Sequence, residues 1–350
     1  MVAMLNYSSN INANYYHLLH TYINDAMIAS VYTASEKFML NSLFDFLTPL
    51  SELLRSNSAV FVTFSVIFGL LVGSFLNVVI HRLPKMMERE WHANCLELQG
   101  RTEDLTQAEL SVIPAQTKYN IVTPRSACPK CGHHISAIEN IPVISYLLLG
   151  GKCKSCKTSI SLRYPFIEAL TGALIGAVAY QYGFTATTFF AWILVFALVT
   201  LTFIDFDTQL LPDDITLPLL WLGLIFNMNG GFADHHANLN IDLKSAVLGA
   251  IFGYLILWLV YWAFKLVTGK EGMGYGDFKL LAAIGAWFGW QMLPAVILLS
   301  SVAGAVIGIG LIVFKGKGGG TAIPFGPFLA LGGIAALFFG AQLMHLYFPN

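Results

Sequence analysis

The chain has 350 residues, of which 56% are hydrophobic and only 11% charged, with a formal net charge of −1 and a mean hydropathy of +0.66. A soluble domain carries about 25% charged residues, so this chain lacks the polar groups to cover a globular surface, and lipid is its solvent over much of its length. The net charge says nothing about partners, although its distribution does, and no nucleic acid is expected among them.

Taken from the N-terminus, residues 1–57 mix Asn, Tyr, Ser and His with apolar residues. They lack the basic stretch and apolar run of a cleavable signal peptide, and are expected to be an N-terminal extension, disordered or periplasmic. A helix needs roughly 20 mainly apolar residues to cross the hydrocarbon core. About eight such segments follow, near 58–80, 164–182, 186–204, 213–229, 245–267, 278–291, 293–314 and 324–347. The sixth is short and is expected to tilt or to bury itself against its neighbours. The expected fold is an all-α polytopic membrane protein of about eight transmembrane helices with a cytoplasmic zinc-knuckle insertion. Its parts are a first transmembrane helix at 58–80, the polar insertion at 81–163 and a membrane core at 164–350.

Lysine and arginine set the orientation. The insertion holds 11 of the 19 basic residues, and threading eight spans outward from it puts Lys265, Lys270, Lys279, Lys315 and Lys317 on the same face. Positive residues accumulate on the cytoplasmic side, so the insertion is expected in the cytoplasm and both termini across the membrane.

Within the insertion lie Cys128-Pro-Lys-Cys131 and Cys153-Lys-Ser-Cys156, separated by 21 residues. Two C-x-x-C turns complete a tetrahedral thiolate site, which is structural because no coordination position stays open. Cytoplasmic placement argues against disulfides, so zinc on Cys128, Cys131, Cys153 and Cys156 is the expectation. Lys130, Lys152, Lys154 and Lys157 would offset the thiolate charge. Cys95 has no partner in this pattern, and His133 and His134 are surplus to it. Between the pairs, residues 139–149 are apolar but too short to span, and are expected in the membrane interface or dipping into the bundle.

Acids at membrane level are costly and mark function. The third span ends in Asp205-Phe-Asp207 and leads to Pro212-Asp213, while the sixth follows Gly274-Tyr-Gly276-Asp277. The charge count puts both stretches on the cytoplasmic side, on different spans at one depth, where two carboxylates can share a site. Facing carboxylates do not both ionise readily, so one keeps a proton. Such a pair can hold a water, one member acting as base while the other polarises a carbonyl. The glycines beside Asp277 leave room for an extended peptide. Asp213 suits a helix N-terminus, and Asp207 is expected to bond a neighbour or substrate. These residues alone leave open a membrane peptidase, an ion-coupled transporter and a thiol-redox protein whose C-x-x-C pairs cycle.

Taken together, the motifs resemble the type IV prepilin leader peptidases, which also serve type II secretion. The resemblance rests on Gly73-Ser-Phe-Leu-Asn through His81-Arg82-Leu-Pro84 and the following Lys85–Trp91, the paired cysteines, and Ile160–Glu168 with Arg163-Tyr164-Pro165. Asp205 to Leu211-Pro212-Asp213 and Gly274-Tyr-Gly276-Asp277 complete it, in order over roughly residues 60–345. It implies an aspartyl endopeptidase of the bacterial inner membrane, active at the cytoplasmic face. Asp205 and Asp277 would be catalytic, and Asp207, Gly274, Gly276 and Lys279 would support the site. Family substrates are prepilins or pseudopilins with a short basic leader, cut after a glycine just before a hydrophobic helix. Members with the cysteine insertion commonly N-methylate the new amino terminus with S-adenosylmethionine, so that second activity is expected. The Gly73–Arg82 segment and the insertion are the candidates for the methyl-donor site. Glu88, Glu90, Glu97, Glu103, Asp104 and Glu109 of the insertion are expected on a solvated surface, with attraction of the basic leader as the alternative reading. The sequence departs from the family pattern in its long N-terminal extension and in Gly150-Gly151, where a basic residue often stands. A transporter should show an internal repeat; none is visible, and it would leave the cysteines unexplained.

Overall fold

The computed structural model describes residues 48–98, 119–228, 230–232, 241–315 and 324–347. Residues 1–47 of the extension, Glu103, Asp104, Glu109 and Lys317 lie outside them. Among the described residues there is no strand, and eight long helices follow one another. They are α1 (Ser58–Leu98), α2 (Arg163–Tyr182), α3 (Ala186–Thr208), α4 (Asp213–Met228), α5 (Leu243–Thr268), α6 (Tyr275–Phe288), α7 (Leu293–Lys315) and α8 (Gly326–Tyr347). Each expected span coincides with one of these helices. Five are long and apolar enough to cross a membrane: α1, α3, α5, α8, and α7 with the turn before it. The chain is therefore a multi-pass membrane protein. Of the other three, α2 carries Arg163 and Glu168, and α4 and α6 have only 16 and 14 residues.

The described residues from Phe61 onward form one compact unit. In the unit before it, residues 48–56 are helical, and Asn57 caps α1 by accepting the Val60 N–H at 3.2 Å. The sequence places the end of the first span near residue 80, but α1 runs for 41 residues, through His81 and Pro84 to Leu98. At 1.5 Å per residue that is about 60 Å, twice the ~30 Å hydrocarbon core. Pro84 removes one helical hydrogen bond without ending the helix. The residues after it are mostly Met, Glu, Arg, Ala and Leu, strong helix formers that carry the turn onward.

Close packing of small residues joins the helices, as expected where lipid removes the hydrophobic incentive for association. Gly69 and Gly73 of α1 face Gly172 and Glu168 of α2, so that a methyl group on either α1 glycine would stand 2.9 Å from a backbone Cα. Gly249 and Gly253 of α5 press onto the Gly285 and Leu281 carbonyls of α6 in the same way. Polar side chains lock further seams. Asn227 of α4 donates to the Ala286 carbonyl at 2.8 Å, and Trp287 of α6 donates to the Leu219 carbonyl at 2.8 Å. Tyr182 of α2 donates to Leu337 of α8 at 2.6 Å. The result buries α6 almost completely, between α4, α5 and α8. That burial answers the expectation for the short sixth span, and it fixes the position of Asp277.

Candidate active site

Asp205 lies one turn before the end of α3, where Gln209 turns left-handed (φ 56°) and closes the helix by donating its N–H to the Asp205 carbonyl. Asp277 lies in the first turn of α6, whose cap is Gly274; its N–H donates to the Gly274 carbonyl at 3.3 Å. Both acids are buried, Asp205 4% and Asp277 7% exposed, and the two carboxyl groups lie close enough to interact electrostatically. Among the described residues, Oδ2 of Asp205 and Oδ1 of Asp277 have no hydrogen-bond partner that meets ordinary geometry. A buried carboxylate oxygen left unpaired carries a large desolvation cost, and both of these carboxyls line one cavity of about 740 Å³.

The cavity is shaped by small residues that bring backbone close to the acids. Gly326, the first residue of α8, faces Asp205; a methyl group there would lie 2.5 Å from Oδ2. Leu211 packs between the two acidic stretches, where a methyl group on Gly276 would meet its Cβ at 2.7 Å and one on Gly326 its Cδ1 at 3.1 Å. Gly274, Gly276 and Lys279 line the cavity. Lys279 reaches from α6 to both carboxylate oxygens of Asp213 at 2.7 Å, so the acid at the start of α4 is also a tie between helices. Asp207 is placed differently. It is held in a two-pronged ion pair by Arg163 of α2 at 2.6 and 2.7 Å, and Arg163 also donates to the Phe203 carbonyl. This clamp joins the entrance of α2 to the exit of α3.

Sequence reading missed the wall supplied by the extension of α1. Met87, Glu90, Trp91 and Asn94 line the cavity, and their spacing of three, four and seven residues is one face of a helix. That periodicity was visible in the sequence, but only a helix continuing past Pro84 gives it meaning. Glu90, exposed as expected of an insertion acid, also faces the cavity. With Asp213, Asp214 and Glu271 it adds four carboxylates to the two buried ones, against one lining lysine, Lys279. Lys265, 2.8 Å from Glu271, holds that carboxyl below its ordinary range.

The four cysteines come together as the spacing predicts, with all Sγ atoms within 4.8 Å of one another and the cross-pair distances Cys128–Cys156 and Cys131–Cys153 at 3.8 and 4.0 Å. Tetrahedral zinc with Zn–S of about 2.3 Å needs sulfurs about 3.8 Å apart, so the cluster fits such an ion. Cys95 is exposed and outside the cluster. His133 is engaged by Glu139 at 3.1 Å, and Glu139 also reaches Lys154 at 3.1 Å, so one carboxylate braces both cysteine turns. The Ser136 backbone N–H, with Lys154 and His133, holds the Glu139 carboxyl down at about 2.

Several polar side chains of the Gly73–Arg82 segment are committed within the protein. Ser74 lies beside Glu168, Asn77 donates to the Tyr164 carbonyl at 3.2 Å, and Arg82 donates to the carbonyls of Asn120, Ile121 and Pro124. It is a seam between α1, α2 and the insertion, with His81 exposed beside Lys85 at 3.0 Å.

Two family models match the chain: the bacterial peptidase A24 N-terminal domain over residues 67–182 and the type IV leader peptidase family over residues 192–309. Three similar relatives each bear the name prepilin leader peptidase/N-methyltransferase. The one from Pseudomonas aeruginosa is 53% identical, covering 85% of this chain and 97% of its own. That of Stutzerimonas stutzeri is 52% identical over 86% and 98%, and that of Aeromonas hydrophila 51% over 81% and 92%. No solved structure matches.

Proposed function

The chain belongs to the type IV leader peptidase family, and from that premise we propose that Asp205 and Asp277 cleave the leader from prepilins or pseudopilins. It is a two-activity enzyme, a prepilin leader peptidase that also N-methylates the new amino terminus. The observation that carries the catalytic assignment is the pair of buried acids from separate helices, each with an oxygen unpaired among the described residues, lining one cavity.

A water between the carboxyls is deprotonated by the charged member while the protonated one hydrogen-bonds the scissile carbonyl oxygen. Water oxygen attacks the carbonyl carbon, and the amine leaves with a proton returned by the acids. Gly274, Gly276 and Gly326 keep side chains out of the space an extended peptide must cross. The carboxylate-rich lining, with Glu90 on the α1 wall, suits a basic leader, and the basic insertion favours a cytoplasmic-face site in a bacterial inner membrane. The Arg163–Asp207 clamp positions the end of α3 rather than touching substrate. When bound, zinc on the four cysteines would be a structural tie for the insertion. S-adenosylmethionine supplies the methyl group in the second activity, and the Gly73–Arg82 segment, with its exposed His81, and the insertion are the candidates for its site. The relatives are named as enzymes, which gives the ion-coupled transporter reading no support.

The test is cleavage of a purified prepilin by the detergent-solubilised protein beside Asp205→Asn and Asp277→Asn. We expect each variant to lose cleavage by at least about 10³-fold while methylating a pre-cleaved pilin. Full cleavage by either would remove that residue from the catalytic pair.

A further inference from the structure

The insertion carries an apolar surface that neither the cleavage site nor the metal knot uses. A short helix, Ile144–Leu148, exposes Ile144, Leu147 and Leu148 by 55, 71 and 82%. Ile138 and Ile141 just before it are 77 and 42% exposed. Its inward face is occupied: Tyr146 donates to the Ile160 carbonyl at 3.2 Å and packs over Gly151. In water such a cluster is a liability unless something covers it.

A hydrogen bond fixes the depth of this surface. The Val143 N–H donates to Glu168 Oε2 at 2.8 Å, and Glu168 is the sixth residue of α2. Glu168 packs in turn on Gly73, within the uncharged 58–80 stretch of α1 and eight residues before His81. Eight residues of helix are about 12 Å, so the Glu168 backbone lies about that far inside the polar edge of α1, and Val143 is held within one glutamate side-chain length of that level. Val143 adopts φ 59°, ψ −47°, a conformation that β-branched residues avoid. The strained residue thus sits where the chain turns back, held by a buried carboxylate. Leu162 and Phe166 at the entrance of α2 are also exposed, by 73 and 57%. Lys152 and Lys157, exposed on the same insertion, match anionic headgroups in charge.

We propose that residues 138–148 form an interfacial anchor, seated in the headgroup–acyl boundary of the bilayer with lipid as its partner. Apolar residues set at that depth and basic residues nearby are what such a segment requires. The anchor gives Glu168 a role: by holding Val143 it ties the insertion to the membrane at a fixed height. The inference is independent of the peptidase reading.

The experiment places a fluorescent, environment-sensitive amino acid at Leu148 in the full chain, and in a second protein at His92. His92 is exposed on the α1 extension, about 28 Å along the helix from Gly73. Each is reconstituted in nanodiscs of phosphatidylcholine and phosphatidylglycerol, with or without lipids carrying a quencher near the headgroup end of the acyl chain. Bound metal is measured on both, and a second label at Leu147 replaces the first if metal is lost. We expect blue-shifted emission at position 148, quenched about twofold by the labelled lipid, and water-like, unquenched emission at 92. Water-like emission at 148 would overturn the anchor. Blue-shifted emission that labelled lipid leaves unquenched would overturn it too, because protein, a second copy included, would then cover the face.

Discussion

The two functional regions of this molecule are assembled in opposite ways. The metal knot is local: four cysteines within 29 residues, each pair closed by its own tight turn. The cleavage site is remote: Asp205 and Asp277 are 72 residues apart in sequence and meet because α6 is buried among α4, α5 and α8. A local site depends on its ligands and little else, whereas a remote one depends on every seam that sets the depth of its helices. Perturbing the two regions should therefore separate the two activities, and the perturbations can be ranked.

Metal removal should have the largest effect. Structural zinc contributes roughly 10–16 kcal/mol of apparent binding energy in small peptides, so the insertion should not keep its shape without it. We expect one metal ion per wild-type chain. Cys131→Ser should abolish that binding, expose the insertion to protease and lower methylation more than cleavage. The reason is that Asp205 and Asp277 sit on α3 and α6, whose packing comes from other membrane helices. Equal loss of both activities would mean that the α1 wall, tied to the insertion through Arg82, transmits the damage to the cavity.

Gly326→Ala probes the other region with one carbon atom. The added methyl would press on Asp205 and Leu211, and a displacement of about 1 Å at a catalytic group can cost on the order of 100-fold. We expect kcat/KM for cleavage to fall about 10- to 100-fold, with metal content and methylation of a pre-cleaved pilin unchanged. A variant with normal cleavage would show that the Gly326 backbone does not position Asp205.

The sequence disclosed these regions unequally, for the same reason. The knot, the helix positions and both acidic stretches follow from spacing and hydropathy, because each is a short-range pattern. The α1 wall was hidden because His81, Lys85 and Arg89 look like the end of a span, although a helix can leave the membrane without ending. Gly326 was hidden because nothing in its own neighbourhood marks it, and Leu211, though inside the Leu211-Pro212-Asp213 motif, had no role assigned; only the tertiary meeting of α3, α6 and α8 makes them matter. Asp207 stood two residues from Asp205 with equal chemical promise, and its bidentate pairing with Arg163 separates the two.

The smallest effect lies inside the knot, where the two cysteine turns are near copies. Cys128 and Cys153 donate to the carbonyls of His133 and Thr158 at 2.9 and 2.8 Å, and Ala127↔His134 and Lys152↔Ser159 pair as matching bridges. Each turn needs a left-handed residue four positions after its first cysteine. The first turn uses Gly132 (φ 69°), the second Lys157 (φ 57°). A side chain in that region costs about 1 kcal/mol, which glycine avoids while losing some entropy on folding. Lys157→Gly should therefore stabilise the knot by about 0.5 kcal/mol, read as a higher chelator concentration at half-removal of metal. Gly132→Ala should lower that midpoint, and since nothing lies within 4 Å of the new methyl, the loss would be backbone strain alone. If Lys157→Gly instead weakened metal binding, the lysine charge beside four thiolates would outweigh its backbone cost, and the two turns would differ by electrostatics rather than by conformation.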